Sequence, residues 1–150
     1  MTLLSRGADY AIRAMLDLAS QPEDEKTVTE RIAERQEIPA AFLSKVVAQL
    51  TQAGLLRTHR GAAGGVLLGK PAEQINLRQI VEAVQGPIVV NLCTGPYDGC
   101  KRAASCPAST VFQEAQRNLE EVLERVILAE LSSEAARLTA AQERRRGDGS

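Results

Sequence analysis

Cys93, Cys100 and Cys106 are the only cysteines in the chain, spaced C-x6-C-x5-C in a stretch that also holds Gly95, Pro96, Gly99 and Pro107. Glycine and proline at that density describe a loop. Three thiolates can hold an iron–sulfur cluster, of the 2Fe-2S or 4Fe-4S kind, if a fourth ligand arrives from elsewhere. Zinc is a second option, but structural zinc sites favour cysteine pairs only a few residues apart, which are absent. A thiol switch, or three unrelated cysteines, also fits the spacing. Lys101 and Arg102 lie between the second and third cysteine and would offset thiolate charge. An odd cysteine count in a reducing compartment argues against a disulfide framework.

A second chemistry lies in Pro39 to Lys70, a run without Asp or Glu. It carries Lys45, Arg57, Arg60 and Lys70, with His59 beside them, in a chain of formal net charge −1. A local positive field in a nearly neutral protein attracts a polyanion. The candidate contacts to double-stranded DNA are Ala41, Ser44, Lys45 and Gln49 on a helix, then Arg57, His59, Arg60 and Gly61 in the segment after it. The glycine-rich Arg60–Gly65 stretch could also cradle a nucleotide phosphate. It lacks the Lys-Ser/Thr pair of a P-loop, however, and no helix begins directly after it.

The elements that must position these residues are readable from periodicity. Residues 8–19 read as an amphipathic helix, with Ala8, Ala11, Ile12, Met15, Leu16 and Ala19 at spacings of three and four. Thr27 and Glu30 stand at capping-box spacing ahead of a short helix that ends near Gln36 and buries Val28, Ile32 and Ala33. Pro39 suits the first turn of a third helix, and Gly54 its end. That helix turns Phe42, Leu43, Val46, Val47 and Leu50 inward, and Ala41, Ser44, Lys45, Ala48, Gln49 and Gln52 outward. Leu55–His59 and Val66–Leu68 read as strands around the glycine-rich turn. Three helices and a hairpin describe a winged helix-turn-helix, whose recognition helix enters the major groove while the wing follows the backbone or minor groove. The expected fold class is therefore mainly α with a small β-hairpin wing. A fourth helix, Leu77–Val84, turns Ile80, Val81 and Val84 inward and breaks at Gly86-Pro87.

From Ala108 to about Thr139 the spacing predicts one long helix, with Val111, Phe112, Ala115, Leu119, Val122, Leu123, Val126 and Ile127 as its apolar stripe. A single small domain cannot cover a stripe that long, so a second copy of the chain is the natural cover, and a homodimer is expected. The expected organisation is a winged helix-turn-helix domain over 1–86, a cysteine loop over 87–107, a dimerisation helix over 108–142 and a disordered polar tail over 143–150. Apolar residues make up 44 % and aromatics 3 % of the chain, so its core must be aliphatic. No apolar run is long enough for a transmembrane helix. Arg6, Asp9, Arg13 and Asp17 interrupt any signal-peptide core. A cytoplasmic protein without membrane attachment is expected.

Three segments are specific in combination: Ala8-Asp-Tyr-Ala-Ile-Arg13, Arg60-Gly-Ala-Ala-Gly-Gly65 with Leu68-Gly-Lys70, and the three-cysteine loop ahead of a long helix. Through them, from about Leu3 to Ser132, the chain resembles the Rrf-two family of bacterial iron–sulfur winged helix-turn-helix transcriptional regulators, which has IscR-like and NsrR-like members. The resemblance implies a regulator, mostly a repressor, whose operator binding is modulated by a cluster that senses redox state, nitric oxide or iron–sulfur status. It implies a homodimer, with each long helix packed on the other subunit and the cluster loop near the partner's DNA-binding domain. Cys93, Cys100 and Cys106 match the cluster cysteines, and Arg60 matches a wing arginine that reaches the minor groove. Ala41, Ser44 and Lys45 fall where IscR-like members contact bases. Two of those positions depart from the Ser and Glu found there, so the operator sequence does not carry over. IscR-like members place a His where this chain has Ser109, a poor ligand. NsrR-like members can use a carboxylate from the first helix of the other subunit, and Asp9 holds that position. A plain surface carboxylate is the other reading of Asp9.

Two further function classes compete. The same DNA-binding regulator could lack a cluster and be switched by thiol oxidation or by a protein partner. An electron carrier or cluster-transfer protein would use the cysteines but leave the acid-free run and the wing without a purpose. An enzyme is the least supported: there is one His, and neither paired carboxylates at a glycine-rich turn nor a nucleophile constellation.

Overall fold

The first helix, α1 (Arg6–Ala19), is the post around which the other elements pack. Ser5 starts it by accepting a hydrogen bond from the Ala8 N–H at 3.1 Å, which satisfies one of the free donors of the first turn. Its inner face is made of Ala8, Ala11, Ala14 and Met15, all fully buried. Small side chains there let α2 (Thr29–Gln36), α3 (Ala40–Gln52), α4 (Leu77–Gln85) and α6 (Leu128–Gly147) approach closely. The computed structural model describes residues 2–23, 25–61, 64–96 and 99–149.

The expected capping box at the start of α2 does not form. Val28, not Thr27, is the capping residue, and no side chain caps the helix. Thr27 is committed elsewhere: its N–H and carbonyl pair with Val66 at 3.2 and 2.8 Å, which ties the segment before α2 to the wing. Pairing there turns Val28 outward, 42 % exposed, against the expectation that it is buried, while Ile32 and Ala33 are buried as expected. Glu37 ends α2 in the left-handed region (φ 53°), the only non-glycine residue with positive φ among those described. That conformation costs about 1–2 kcal/mol. It drops Ile38 into the core, 4 % exposed, and turns the chain into α3.

Pro39 sits one residue ahead of α3, as its cap. Leu43, Val46, Val47 and Leu50 are buried, but Phe42, expected inward, is 38 % exposed. Gly54, with φ 79°, follows the helix end and leads into the wing. The strands β1 (Leu56–His59) and β2 (Gly65–Leu68) pair antiparallel, with Leu56 opposite Leu68 and His59 opposite Gly65. Leu56, Val66 and Leu67 enter the core, whereas Arg57, Thr58 and His59 are exposed. The Gly69 N–H then donates to the Leu55 carbonyl at 2.9 Å. A Cβ at Gly69 would overlap the carbonyl oxygen of Gly54, so this contact between the wing and the end of α3 admits only glycine.

A reciprocal capping box between Asn76 and Gln79 starts α4, which buries Ile80 and Val81. Beyond the cysteine loop, the single helix expected over 108–142 is two helices, α5 (Pro107–Arg125) and α6. Val126 and Ile127 between them are extended. The Leu77 N–H donates to Val126 O at 2.9 Å and the Leu128 N–H to Ile75 O at 2.8 Å. Two adjacent β-branched residues favour that extended pairing, and the bend it makes puts Leu128 fully inside the core. Residues 143–147, expected to be disordered, continue α6. The architecture is thus mainly helical, with a two-strand wing and long C-terminal helices.

Replacing Gly69 by Ala should lower unfolding stability by about 1–3 kcal/mol, because backbone must move to admit the methyl. Urea denaturation checks this, and an unchanged midpoint would refute the close-contact account.

Candidate nucleic-acid interface and cysteine loop

On α3, Ala41, Ser44, Lys45, Ala48 and Gln52 are exposed, and the face they form carries no acid. The Ser44 hydroxyl donates back to Ala40 O at 3.1 Å. Gln49 departs from the expected set: it is half-buried and donates to Val84 O at 3.2 Å, so its amide ties α3 to α4. In the wing, Arg60 and Gly61 are exposed at the tip, where the Gly64 N–H closes the turn on Gly61 O at 2.8 Å. His59 and Gly61 line a shallow groove beside the start of α2, with Thr29 and Glu30. Arg57 departs as well. It lines a different cleft, with Lys70, Glu23, Glu25, Glu73 and the first turns of α6. Ala62 and Ala63 of the wing turn lie outside the described residues. The structure therefore gathers Ala41, Ser44 and Lys45 on one helix face and His59, Arg60 and Gly61 at the wing tip, and turns Gln49 and Arg57 elsewhere.

What aims α3 is a clamp that sequence reasoning missed. The side chain of Asp17, 3 % exposed, accepts from Arg35 Nε and Nη2 at 2.9 and 2.6 Å and from Gln36 Nε2 at 3.0 Å. Its hydrogen bonds raise the Arg35 pKa above the ordinary guanidinium value, outweighing desolvation. One turn earlier, Arg13 donates to Gln36 O at 2.7 Å. Both side chains of α1 thus hold the end of α2, and with it the turn into α3. The available signal was position: Asp17 lies three residues after Ala14 and six after Ala11, on the buried face.

Asp9 stands in the first turn of α1 with its side chain 64 % exposed. Its Oδ2 lies 3.3 Å from Arg13 Nε, close enough for charge attraction but without a hydrogen bond from that nitrogen. The three cysteines are free and half-buried. Cys93 sits in a single 3₁₀ turn, Leu92–Thr94, capped by Asn91, and Cys106 immediately precedes α5 without a side-chain capping bond. Tyr97 and Asp98, between Cys93 and Cys100, lie outside the described residues. Ser109 is buried, and its hydroxyl accepts from Gln113 at 3.3 Å. Among the described residues, no three His, Cys, Asp or Glu side chains converge as ligands of one metal ion. The donor set itself fits a cluster: three unpaired thiols on one loop, with Lys101 and Arg102 exposed beside them.

Gln116, also unforeseen, mounts the start of that loop. It is 7 % exposed, accepts from the Val90 N–H at 2.9 Å and donates to Ile88 O at 2.6 Å. It donates as well to Glu120 at 2.8 Å, and Glu120 lies 3.4 Å from Arg78 of α4. Glu82, then Glu124, hydrogen-bond the Arg78 guanidinium and raise its pKa against the desolvation that opposes them. The start of the loop is thus fixed to α5, and its end runs directly into that helix. Replacing Gln116 by Leu should leave the Val90 N–H and the Ile88 carbonyl unpaired and cost about 1–3 kcal/mol. Hydrogen exchange at Val90 should accelerate, and unchanged protection there would remove Gln116 as the anchor.

Comparison with known proteins gives one consistent answer. Residues 4–134 match the family described as "Rrf2: Iron-dependent Transcriptional regulator". The transcriptional regulator IscR of Yersinia enterocolitica is 34 % identical over 131 residues, covering 87 % of this chain and 79 % of that protein. Among solved structures, CymR, the global cysteine regulator of B. subtilis, superposes with a TM-score of 0.73 at 26 % identity, over 89 % of this chain and 98 % of that one. T. potens IscR gives a TM-score of 0.72 at 27 % identity, over 88 % and 87 % of the two chains. The family is one of transcriptional regulators rather than enzymes. With a winged helix-turn-helix built as above and a match over nearly its whole folded length, the chain belongs to the Rrf2 family of DNA-binding transcriptional regulators.

Proposed function

We propose that this protein is a homodimeric repressor whose operator binding is set by an iron–sulfur cluster held on Cys93, Cys100 and Cys106. The observation that carries the reading is the double use of α5. Gln116 of this helix holds the start of the cysteine loop, and the loop runs from Cys106 directly into the helix at Pro107. Its other side carries Val111, 63 % exposed, and Val122, 45 % exposed, with the exposed Ala115 between them at helical spacing. Leu123 and Leu119 of the predicted stripe pack inward on α1 and α4, so the uncovered row is free for a second copy. One rigid rod therefore carries both the sensor loop and the dimer seam.

Asp9, exposed on α1 of a second copy, is the proposed fourth ligand. The cluster would supply a reactive iron centre whose gain or loss reports redox state, nitric oxide or iron–sulfur supply. The protein's own part is to hold three sulfurs on a loop anchored to α5 and to present Ala41, Ser44, Lys45, His59, Arg60 and Gly61 to DNA. The half-exposed, unpaired thiols beside Lys101 and Arg102 favour one alternative, a regulator switched by thiol oxidation without a cluster.

The absorption spectrum of anaerobically prepared protein separates the two readings. A visible iron–sulfur band is expected, and Ala at any of the three cysteines should abolish it, because iron is left under-coordinated. Asp9→Ala should keep part of the band but lose it faster in air. Operator affinity should differ between holo and apo protein at one salt concentration, and a colourless protein or equal affinities would overturn the proposed regulation. For assembly, Val122→Glu would place an unpaired charge in the seam at a cost of several kcal/mol. Sedimentation should then find monomer where the wild type is dimer, and a monomeric wild type at micromolar concentration would refute the seam.

A further inference from the structure

We propose that Phe42 reads the methyl group of a thymine in the operator, an inference that rests on α3 being the recognition helix. Leu43, Val46, Val47 and Leu50 complete the inward face of α3 without it, and Phe42 is left 38 % exposed in the first turn. The N-terminal residues of a recognition helix are those that meet base edges. Ala41 beside it is small and exposed, and the exposed Lys45 follows it by one turn.

The ring is held rather than loose. Tyr10 of α1 packs edge-on against it, with centroids 5.1 Å apart and planes at 83°. The Arg13 guanidinium lies 4.8 Å from the Tyr10 centroid and backs that ring in turn. Gly7 makes the room: a Cβ there would lie 3.5 Å from Phe42 Cε1 and 3.0 Å from Val84 Cγ1. A ring already fixed loses little freedom on binding. In the major groove, the apolar feature a base edge offers is the thymine 5-methyl, and aromatic side chains are among those that contact it. Lys45 and Ser44 can take polar partners, whereas Phe42 adds a contact that only a methyl satisfies.

The probe is a duplex selected by the wild-type protein from a randomised pool. Each thymine is then replaced singly by deoxyuridine, which lacks only the methyl. Losing one buried methyl should weaken wild-type binding about fourfold at one thymine position. Phe42→Ala should lose that sensitivity at that position and respond like the wild type at every other thymine. Phe42→Leu, which keeps an apolar contact over Gly7, should fall between them and decides the matter if the Ala variant does not fold. Wild-type sensitivity retained in the variants at every thymine, or no sensitivity in the wild type, overturns the proposal. A wild-type protein that selects no sequence overturns the recognition-helix reading, and this inference with it.

Discussion

The orientation of α3 depends on one carboxylate. Asp17 is buried with its side chain 3 % exposed, a placement that is strongly unfavourable unless the charge is paired and hydrogen-bonded. Arg35 and Gln36 supply three donors, all from the last turn of α2. The pairing is possible only when α1 and α2 sit in one relative position, because the guanidinium presents its two N–H groups in a fixed plane. Arg13 adds a bond to the Gln36 carbonyl, a backbone atom at the entrance to the turn. The left-handed Glu37 and the buried Ile38 then leave α3 one direction in which to start. Hydrophobic packing of α1 alone would tolerate small rotations of α2. The clamp removes that freedom, which on the proposed reading aims α3 to well within the spacing of neighbouring bases.

The second constraint is the bend at Val126-Ile127. Had α5 continued straight, Leu128 would have left the core and the first turns of α6 would have lost α1. The backbone pairing with Ile75 and Asn76 prevents this and folds the C-terminal helix back onto the DNA-binding unit. The separation of a winged domain from a dimerisation helix, natural on the sequence, is therefore too sharp. The chain after the cysteine loop both completes the core and offers the uncovered row Val111, Ala115 and Val122.

Elements set by local signals were legible in the sequence. The period of α1, α3 and α4, the glycine stops and the two wing strands all appear where residue type predicts them, because each depends on neighbours a few positions away. The departures share one cause, pairing with a distant segment. Thr27 bonds Val66 instead of capping α2, and Val126 bonds Leu77 instead of continuing a helix. Gln49 reaches Val84, and Arg57 faces a cleft built partly from α6. Phe42 packs at the flank on Tyr10 and beside Gly7 of α1 rather than in the core, which no property of α3 reveals. The cysteines were legible as a set, since their type and spacing define the chemistry, but their mounting on Gln116 was not. A glutamine in an amphipathic helix reads as surface until the segment it holds is known.

These contacts form a continuous path from the cysteine loop to α3. The chain at Ile88 and Val90 is held by Gln116, which bonds Glu120, which pairs with Arg78 of α4. From the end of α4, Val84 accepts a hydrogen bond from Gln49 of α3. Such a path supplies stiffness, not a switch, because coupling needs an element with two arrangements that both sites bias. Within one chain, α1, α4 and α5 are locked by a packed core and by buried polar bonds, which change state together or not at all. On the proposed reading, a change at the cysteine loop is therefore transmitted less by bending the chain than by moving one copy against the other. On that reading the loop rides on the rod that carries the dimer seam, so its rearrangement would alter how two otherwise rigid halves meet. Two recognition helices must enter successive grooves about 34 Å apart, and a rigid half converts a small shift at the seam into a loss of register at the DNA.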